Sequence, residues 1–277
     1  MLKKKGGRRP NVLGGLLGWL WLLVAVVPIY YIIVTSLRSQ ADYYIENPLA
    51  LPSNPTLRAY ITVFENNFWM YFANSVLVTG ATVAVVLVIA FMASYVIVRS
   101  RTRFSDRIFA MFLLGIAIPI QATIVPVYYL IVQMGLYDSL WAIILPSIAF
   151  AIPISVLILT NFLRDVPREL FESMKVDGAT DWQMLWRLAA PLCKPALVTV
   201  GIYDALNVWN GFLFPLILTQ SANKRVLPLS LWNFQGSFSS DTPAILAAVV
   251  LSALPLIVAY TLGRRQMVAG LTAGVGK

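Results

Sequence analysis

Four polar side chains lie within long apolar stretches of the sequence, where they are the strongest candidates for binding chemistry. Asp204 is the one ionisable residue in such a stretch, and a charge there is costly unless it is paired or hydrated. Asn207 shares a helical face with Asp204, and Asn210 lies less close to it. Gln121 lies in another apolar stretch. We interpret the four as candidates for a solute pathway; a structural hydrogen bond from Asp204 to a neighbouring helix is an equally good interpretation.

The sequence lacks the residues that most catalytic and metal sites need. It contains no His, which is the commonest metal ligand and general base. The single Cys193 excludes an internal disulfide and a cysteine metal cluster. The 277 residues also contain no Gly-x-x-x-x-Gly-Lys-Ser/Thr phosphate loop. We therefore expect a chain that is not an enzyme and that binds neither a metal nor a cofactor itself.

Composition indicates a membrane protein. Hydrophobic residues make up 59% of the chain and charged residues 12%, against about 25% charged residues in an ordinary soluble domain. This excludes a soluble enzyme, a disulfide scaffold and a disordered tail. Because a membrane helix needs about 20 apolar residues, we predict an all-α fold with six transmembrane helices. The predicted spans are Leu13–Leu37, Phe72–Val98, Ile108–Val132, Leu140–Leu163, Ala196–Thr219 and Thr242–Gly263.

The positions of the basic residues predict the orientation. Of the 21 Lys and Arg residues, 17 fall in the N-terminus, the second and fourth loops and the C-terminal tail. Positive charge is retained in the cytoplasm, so both termini are predicted to be cytoplasmic, in the inner membrane of a bacterial-type cell. The net charge of +9 is then a feature of topology, and no nucleic-acid partner is expected. The first apolar run is too long for a cleaved signal peptide and lacks a small-x-small cleavage site.

The spans suggest one membrane core with two flanking parts. Residues 1–68 comprise the N-terminal tail, the first span and the first external loop. Residues 69–264 form the core with five spans, and residues 265–277 form a cytoplasmic tail. No internal repeat is visible, so a second domain is not expected.

The fourth loop, residues 165–191, has the pattern of two short helices joined at a glycine. Leu170, Phe171 and Met174 fall on one stripe of the first helix, and Gly178 offers a left-handed stop. Thr180 followed by Gln183 three residues later predicts a capping box for the second helix. Spacing alone favours an interfacial helix pair that stabilises the loop; the alternative is a docking surface for a soluble partner.

The same loop resembles a known family motif. Glu172-Ser173-Met174, three residues, Gly178, nine residues and Leu188-Ala189-Ala190-Pro191 is similar to the loop that marks permease subunits of binding-protein-dependent ABC importers. The family pattern is Glu-Ala-Ala, three residues, Gly, nine residues, Ile-x-Leu-Pro. The sequence departs from it at Ser173, Met174, Leu188 and Ala190.

Three further segments resemble carbohydrate-class importers. Residues 119–138 are similar to the third-span hairpin of that class, and residues 207–216 to its fifth-span signature. The end of the chain, residues 268–274, resembles the second of the two permeases of the maltose-transporter type.

The resemblance implies a type I ABC importer permease that forms half of a pathway for a sugar or sugar-like solute. It implies a second related permease, a homodimeric cytoplasmic ATPase that binds ATP and Mg²⁺, an extracytoplasmic solute-binding protein, and membrane lipid around the spans. Residues expected to couple to the ATPase are Phe171, Glu172, Ser173, Met174, Asp177, Gly178 and Ala179, with a tail contact at Gly270, Leu271 and Thr272.

Two other kinds of function are compatible with six spans. A secondary transporter or channel with an amphipathic cytoplasmic loop would need ion-coupling carboxylates or discontinuous half-helices, for which only Asp204 and scattered prolines are available. An export or assembly factor would have no solute pathway.

The charge pattern predicts which loops an impermeant reagent can reach. In intact cells, single cysteines at Thr56 and Asn223 should react with an impermeant maleimide, whereas a cysteine at Asp177 should react only after permeabilisation. The unsubstituted chain, with Cys193 alone, provides the background. Labelling of position 177 from outside would overturn the orientation.

Overall fold

The protein is almost entirely helical in the part that the structure describes. The computed structural model describes residues 12–100, 102–235 and 240–273. Within them, the only strand-type pairing is an isolated bridge between Gln235 and Ser240. The α-helices are α1 (Val12–Ser36), α2 (Gln40–Ile45), α3 (Arg58–Glu65), α4 (Phe68–Ser100), α5 (Arg103–Ile116), α6 (Ile124–Gln133), α7 (Leu140–Arg164), α8 (Arg168–Val176), α9 (Asp181–Met184), α10 (Ala190–Leu192), α11 (Lys194–Trp209), α12 (Leu213–Leu218), α13 (Leu227–Ser230) and α14 (Thr242–Ala273). The all-α prediction is confirmed.

Four of these helices are long and apolar enough to cross a membrane. They cover the first, second, fourth and sixth predicted spans, and the qualifying segments are Leu13–Ser36, Phe68–Ser100, Leu140–Arg164 and Thr242–Thr261. Up to six spans result if each of two bent helix pairs counts as one. The last helix, α14, continues to Ala273 and so extends beyond the predicted end at Gly263.

The third span is not the continuous helix that the sequence predicted. The segments Arg103–Ile116 and Ile120–Gln133 meet at an angle of 93°, and a 3₁₀ turn at Ile120–Thr123 precedes α6. Pro119 lies at the break with an extended backbone. Proline has no N–H to continue the helical hydrogen bonds, and it disfavours helical geometry in the residue before it. The prediction of one uninterrupted helix over Ile108–Val132 was therefore wrong.

The fifth predicted span is interrupted as well. Helix α11 ends at Trp209 and α12 begins at Leu213, so the predicted helix over Ala196–Thr219 is not continuous. Gly211 lies in the gap, where a Cβ would be 3.0 Å from the Val208 carbonyl oxygen. A further bend of 77° separates Asp181–Leu192 from α11.

The chain divides into two compact units. The first comprises the residues up to Asn66 with 233–251, and the second comprises 67–232 with the residues from Ser252. In the first unit, Arg38 is fully buried and fixes the segment after α2. Its Nη2 donates to the carbonyls of Asn47 (2.8 Å) and Ala50 (2.5 Å), and its Nε lies 3.3 Å from Glu46 Oε2. A buried guanidinium needs such partners to offset its lost hydration.

The core of the second unit is the packing of α4 along α7, with α11 against both. Val86 and Ala90 of α4 and Val156 and Leu159 of α7 are all buried in one apolar cluster. Ser94 of α4 donates a hydrogen bond to the Val156 carbonyl (3.2 Å). Small side chains at such contacts let helix backbones approach closely, which is how helices associate in lipid.

A carboxylate ties the turn between α6 and α7 to the segment after α12. Asp138 has a left-handed backbone (φ 58°), and its N–H donates to the Leu218 carbonyl (3.0 Å). Its carboxylate accepts hydrogen bonds from the Ser221 hydroxyl and from the backbone N–H groups of Gln220 (2.8 Å) and Ser221 (2.9 Å). These hydrogen bonds hold the pKa of Asp138 below its usual range, and the one from the Ser221 hydroxyl has the largest effect. They lower the pKa because they stabilise the ionised form.

Asp138 should therefore stabilise the fold in a pH-dependent way. Since its pKa is lower in the folded than in the unfolded chain, the contribution is complete above the unfolded value of about 3.9. It is lost as the pH falls through the folded value. In detergent at neutral pH, Asp138→Asn should lower the thermal unfolding temperature by a few degrees, because an amide offers one acceptor oxygen in place of two.

The deficit of Asp138→Asn should shrink as the pH falls below about 4 and through the folded pKa of Asp138, where the unmodified chain also becomes protonated at this position. Glu65→Gln, at an exposed position at the end of α3, is the control and should unfold like the unmodified chain at both pH values. Equal unfolding temperatures for Asp138→Asn and the unmodified chain at neutral pH would contradict the assignment.

Candidate functional site: a polar cavity and an exposed helical loop

The second unit contains a cavity of about 270 Å³ between α4, α7, α11 and α12. Much of its wall is apolar, from residues such as Val78, Ile143 and Phe214. Polar groups reach it from three helices, and these are Ser75, Thr79, Ser147, Tyr203, Asp204 and Asn207. Hydroxyl, amide and carboxyl groups on an apolar wall suit a small solute with both hydroxyl groups and apolar faces.

Asp204 is the buried acid of this cavity. Its side chain is 1% exposed, and its Oδ2 lies 2.8 Å from the hydroxyl of Ser155 on α7, which donates to it. Among the residues that the structure describes, no Lys or Arg nitrogen lies within 4.0 Å of this carboxylate. Asp204 thus makes the helix-to-helix hydrogen bond of the structural interpretation, and it lines the cavity as the pathway interpretation requires.

The structure brings together only two of the four predicted pathway residues. Asn207 lines the cavity with Asp204, and its Nδ2 donates to the Tyr203 carbonyl (2.8 Å). Asn210 ends α11 and donates to the Leu206 carbonyl (2.8 Å) instead. Gln121 is exposed in the 3₁₀ turn at the break of the third span. Neither Asn210 nor Gln121 is part of the cavity wall.

The hydroxyl groups of the cavity were missed by the sequence analysis. Ser75 and Thr79 are four residues apart on α4, and Ser147 lies on α7. The spacing of Ser75 and Thr79 places both on one face of α4. Small polar residues at that spacing within an apolar run were the available signal. Such residues are typical of helix–helix contacts and not of a surface that faces lipid.

The fourth loop forms helix, glycine turn and helix, as predicted. At the C-terminal end of α8, the N–H of Ala179 donates to the Met174 carbonyl (2.9 Å), and the N–H of Gly178 donates to the Lys175 carbonyl (3.1 Å). With Gly178 at φ 83°, this is a Schellman motif. Thr180 and Gln183 form the predicted capping box at the start of α9. A π-helical turn at Leu185–Ala189 leads on to α10.

One side of α8 faces the bundle and the other faces outward. Phe171 is 2% exposed; its ring lies 6.2 Å from that of Tyr95 and beneath the guanidinium of Arg99 at 4.4 Å. Met174 and Ala179 are half-buried beside the same core. Glu172, Ser173 and Asp177 are exposed. Phe171 is therefore an inward anchor for α8, whereas Glu172, Ser173 and Asp177 are available to a partner.

Exposed apolar groups mark the outer side of this loop. Val176 is 89% exposed, and Trp182 also presents most of its surface. Neither residue was predicted as a contact from the sequence, because neither belongs to the predicted stripe. The predicted tail contacts Gly270, Leu271 and Thr272 lie in the last turns of α14, and their side chains lie outside the described part of the chain.

Residues 86–267 match a family model described as binding-protein-dependent transport system inner membrane component. The chain belongs to this family. The matched range contains Asp204, Asn207 and the whole fourth loop, so the protein is a membrane permease subunit of an ABC importer. Family membership decides against the secondary transporter, the channel and the assembly factor.

Relatives and solved structures agree with the assignment. The permease is 38% identical over 257 residues to an ABC transporter permease protein of Caldicellulosiruptor sp., covering 93% of this chain and 94% of the relative. It is 31% identical to a diacetylchitobiose uptake system permease protein of Streptomyces coelicolor, covering 91% of this chain and 92% of the relative. A solved bacterial ABC transporter that imports the acidic polysaccharide alginate has a chain with the same fold, at a TM-score of 0.81 and 22% identity. That match covers 96% of this chain and 99% of the other.

We expect Asp204→Asn to change transport by the permease more than its abundance. The amide oxygen can still accept the Ser155 hydrogen bond, so folding and assembly should persist, whereas the cavity loses its carboxyl group. Uptake per permease molecule, with abundance measured by immunoblot of the same membranes, gives the comparison.

Ser155→Ala serves as the matched control, since it removes the hydrogen bond that Asp204→Asn retains and keeps the carboxyl group that Asp204→Asn removes. If uptake per molecule is unchanged in Asp204→Asn, or if both variants lose abundance alike, Asp204 has a structural role only.

Proposed function

We propose that this permease forms half of the solute pathway of an ATP-driven importer for a sugar or sugar-like solute. The observation that carries the proposal is the cavity, because its hydroxyl, amide and carboxyl groups lie on an apolar wall between three spans. Amides and hydroxyls pair with sugar hydroxyls, and apolar and aromatic walls such as Phe150 and Tyr203 suit the C–H faces of a sugar ring. The names of the Streptomyces and alginate relatives, both concerned with saccharides, support the same class.

The importer requires other subunits. The family description supports an external solute-binding protein, and the absence of a phosphate loop from these 277 residues agrees with ATP and Mg²⁺ being bound by a separate homodimeric ATPase. A second, related permease would complete the pathway. The basic residues favour cytoplasmic termini and a cytoplasmic fourth loop, where the ATPase is available.

The fourth loop would transmit movement of the ATPase to the spans. A partner would bind the outer side of α8 at Glu172, Ser173 and Asp177. Val176 and Trp182 would provide exposed apolar contacts. Phe171 anchors the inner side of the helix beside Tyr95 of α4. Since α8 follows α7 directly, movement of α8 would shift the ends of α4 and α7 as a rigid body. Both helices line the cavity, so alternating access would follow from that shift.

The function is tested by copurifying the permease with its partners from its native membrane. Reconstituted complexes should hydrolyse ATP faster when the binding protein is supplied with its saccharide, and a panel of neutral and acidic oligosaccharides would identify the class. Stimulation by amino acids or peptides and by no saccharide would overturn the sugar assignment while leaving the ABC permease assignment intact.

Coupling should depend on Glu172 and Gly178. Glu172→Ala removes charge-assisted hydrogen bonds, which contribute about 1.5–3 kcal/mol each, so retention of the ATPase should fall by about tenfold or more. Gly178→Asp forces a side chain into a left-handed conformation and re-aims α9, so its effect should be larger. Both variants should reach the membrane in normal amount, because neither residue lies in a span.

Each variant has a matched control within the chain. Glu169→Ala removes an exposed acid from the same helix. Gly135→Asp strains a second glycine with positive φ (67°), in the turn between α6 and α7. Both controls should retain the ATPase. ATPase retention and transport that are normal in Glu172→Ala and Gly178→Asp would make the loop a purely interfacial element.

A further inference from the structure

A second cavity in the same unit lies where the spans end beside α8. Its volume is about 450 Å³, and its walls are the ends of α4 and α7 together with residues of α5 and α8. Three guanidinium groups line it, those of Arg99, Arg164 and Arg168, and Asp106 is the one acid among the described lining residues. The cavity therefore carries a strong positive charge that the solute cavity lacks.

Aromatic rings hold two of these guanidinium groups in place. Arg99 lies over the ring of Phe171 at 4.4 Å, and Arg164 over the ring of Phe109 at 5.0 Å. A guanidinium stacked on a ring keeps its N–H edges available to an anion. Among the described residues, no carboxylate oxygen lies within 4.0 Å of the nitrogens of Arg99, Arg164 or Arg168. The three cations are thus positioned without an acidic partner.

The chemistry of such a cavity fits a phosphate group, since planar guanidinium groups bind phosphate oxygens in pairs. Its position favours a phosphate that is attached to lipid. Arg99 and Arg164 lie in the last turns of two spans, and the ends of a span are where a chain meets the headgroup region of a bilayer. Next to it, and sharing Ile97, an apolar groove of about 350 Å³ runs between α4 and α5, and Val96 and Phe104 of that groove are exposed.

We propose that the Arg99–Arg164–Arg168 cavity binds the phosphate headgroup of an anionic phospholipid. Basic pockets between spans at the cytoplasmic surface are suited to such headgroups. The occupant would contact α4, α7 and α8 at once, because Arg168 begins α8 and Phe171 of α8 lines the same cavity. A bound anionic lipid would therefore fix the inner side of α8 against the spans.

The test measures lipid binding to the full-length permease purified in non-ionic detergent. Native mass spectrometry compares phosphatidylglycerol with phosphatidylcholine of the same acyl chains. The double variant Arg164→Gln/Arg168→Gln removes two cavity cations. Its control is Arg103→Gln/Arg107→Gln, which removes two exposed cations of α5 that do not line the cavity. The single variant Arg168→Gln changes an exposed residue without a ring contact. It tests the cavity in a chain that should still fold if the double variant misfolds.

The unmodified chain should bind phosphatidylglycerol more tightly than phosphatidylcholine. Each cavity guanidinium removed should weaken phosphatidylglycerol binding by about fivefold, whereas the control should change it by less than about twofold. Equal losses in both double variants would indicate general surface charge and overturn the site.

Two further measurements separate the lipid from other occupants. Inorganic phosphate in large excess should not displace phosphatidylglycerol; full displacement would assign the cavity to a soluble anion. If Arg168→Gln loses the ATPase but keeps its preference for phosphatidylglycerol, the cavity is part of the protein interface and the lipid assignment is wrong.

Discussion

The structure depends on one constraint, which is that no water is available inside a bilayer to satisfy a peptide N–H or C=O group. A chain that crosses the bilayer must therefore pair these groups within its own helices. The described part of the permease meets the constraint mainly with α-helices, and one of its interruptions lies beside polar side chains. The gap between α11 and α12 lies beside the polar cavity, to which Gly211 contributes. The irregular backbone at this gap therefore lies next to a polar cavity and not against lipid.

The same constraint explains how the cavity and the fourth loop are connected. Helices α4, α7 and α11 share one buried cluster that includes Val86, Val156 and Val200 as well as Phe171 of α8. Packed interiors deform little, so a displacement of α8 is passed to the helices as a rigid movement rather than absorbed locally. Asp204 and Ser155 lie on two of those helices, so their buried hydrogen bond joins α11 to α7 within the same packed interior.

The approximate positions of the four continuous spans could be predicted from the sequence because apolar length is a local property. The caps of the fourth loop could be predicted for the same reason, since Thr180, Gln183 and Gly178 act within a few residues. The breaks within the third and fifth predicted spans could not be predicted. Pro28, Pro146, Pro153 and Pro255 lie inside continuous helices, whereas Pro119 lies at a break. Whether a proline interrupts a membrane helix depends on neighbours that can satisfy the freed carbonyl groups, and these are distant in sequence.

Side-chain partners across the bundle were also beyond prediction. Asp204 was recognised from its residue type alone, but its hydrogen-bond partner Ser155 is 49 residues away. Phe171 was grouped with the ATPase-coupling residues on the family resemblance of the fourth loop, whereas the ring beside it, that of Tyr95, belongs to another span. The cavity hydroxyls of α4 and α7 come together only when the two helices pack.

The hydrogen bonds of Asp138 have a consequence for biosynthesis. Their donors are 82 and 83 residues further along the chain, so the carboxylate is made well before Gln220 and Ser221 emerge from the ribosome. Until then α6 and α7 are joined by a turn whose acid is solvated. Closing so long a loop carries an entropic cost that local contacts do not. The Asp138 contacts can form only after α11 and α12 are in place. They therefore form late and stabilise helices that are already inserted.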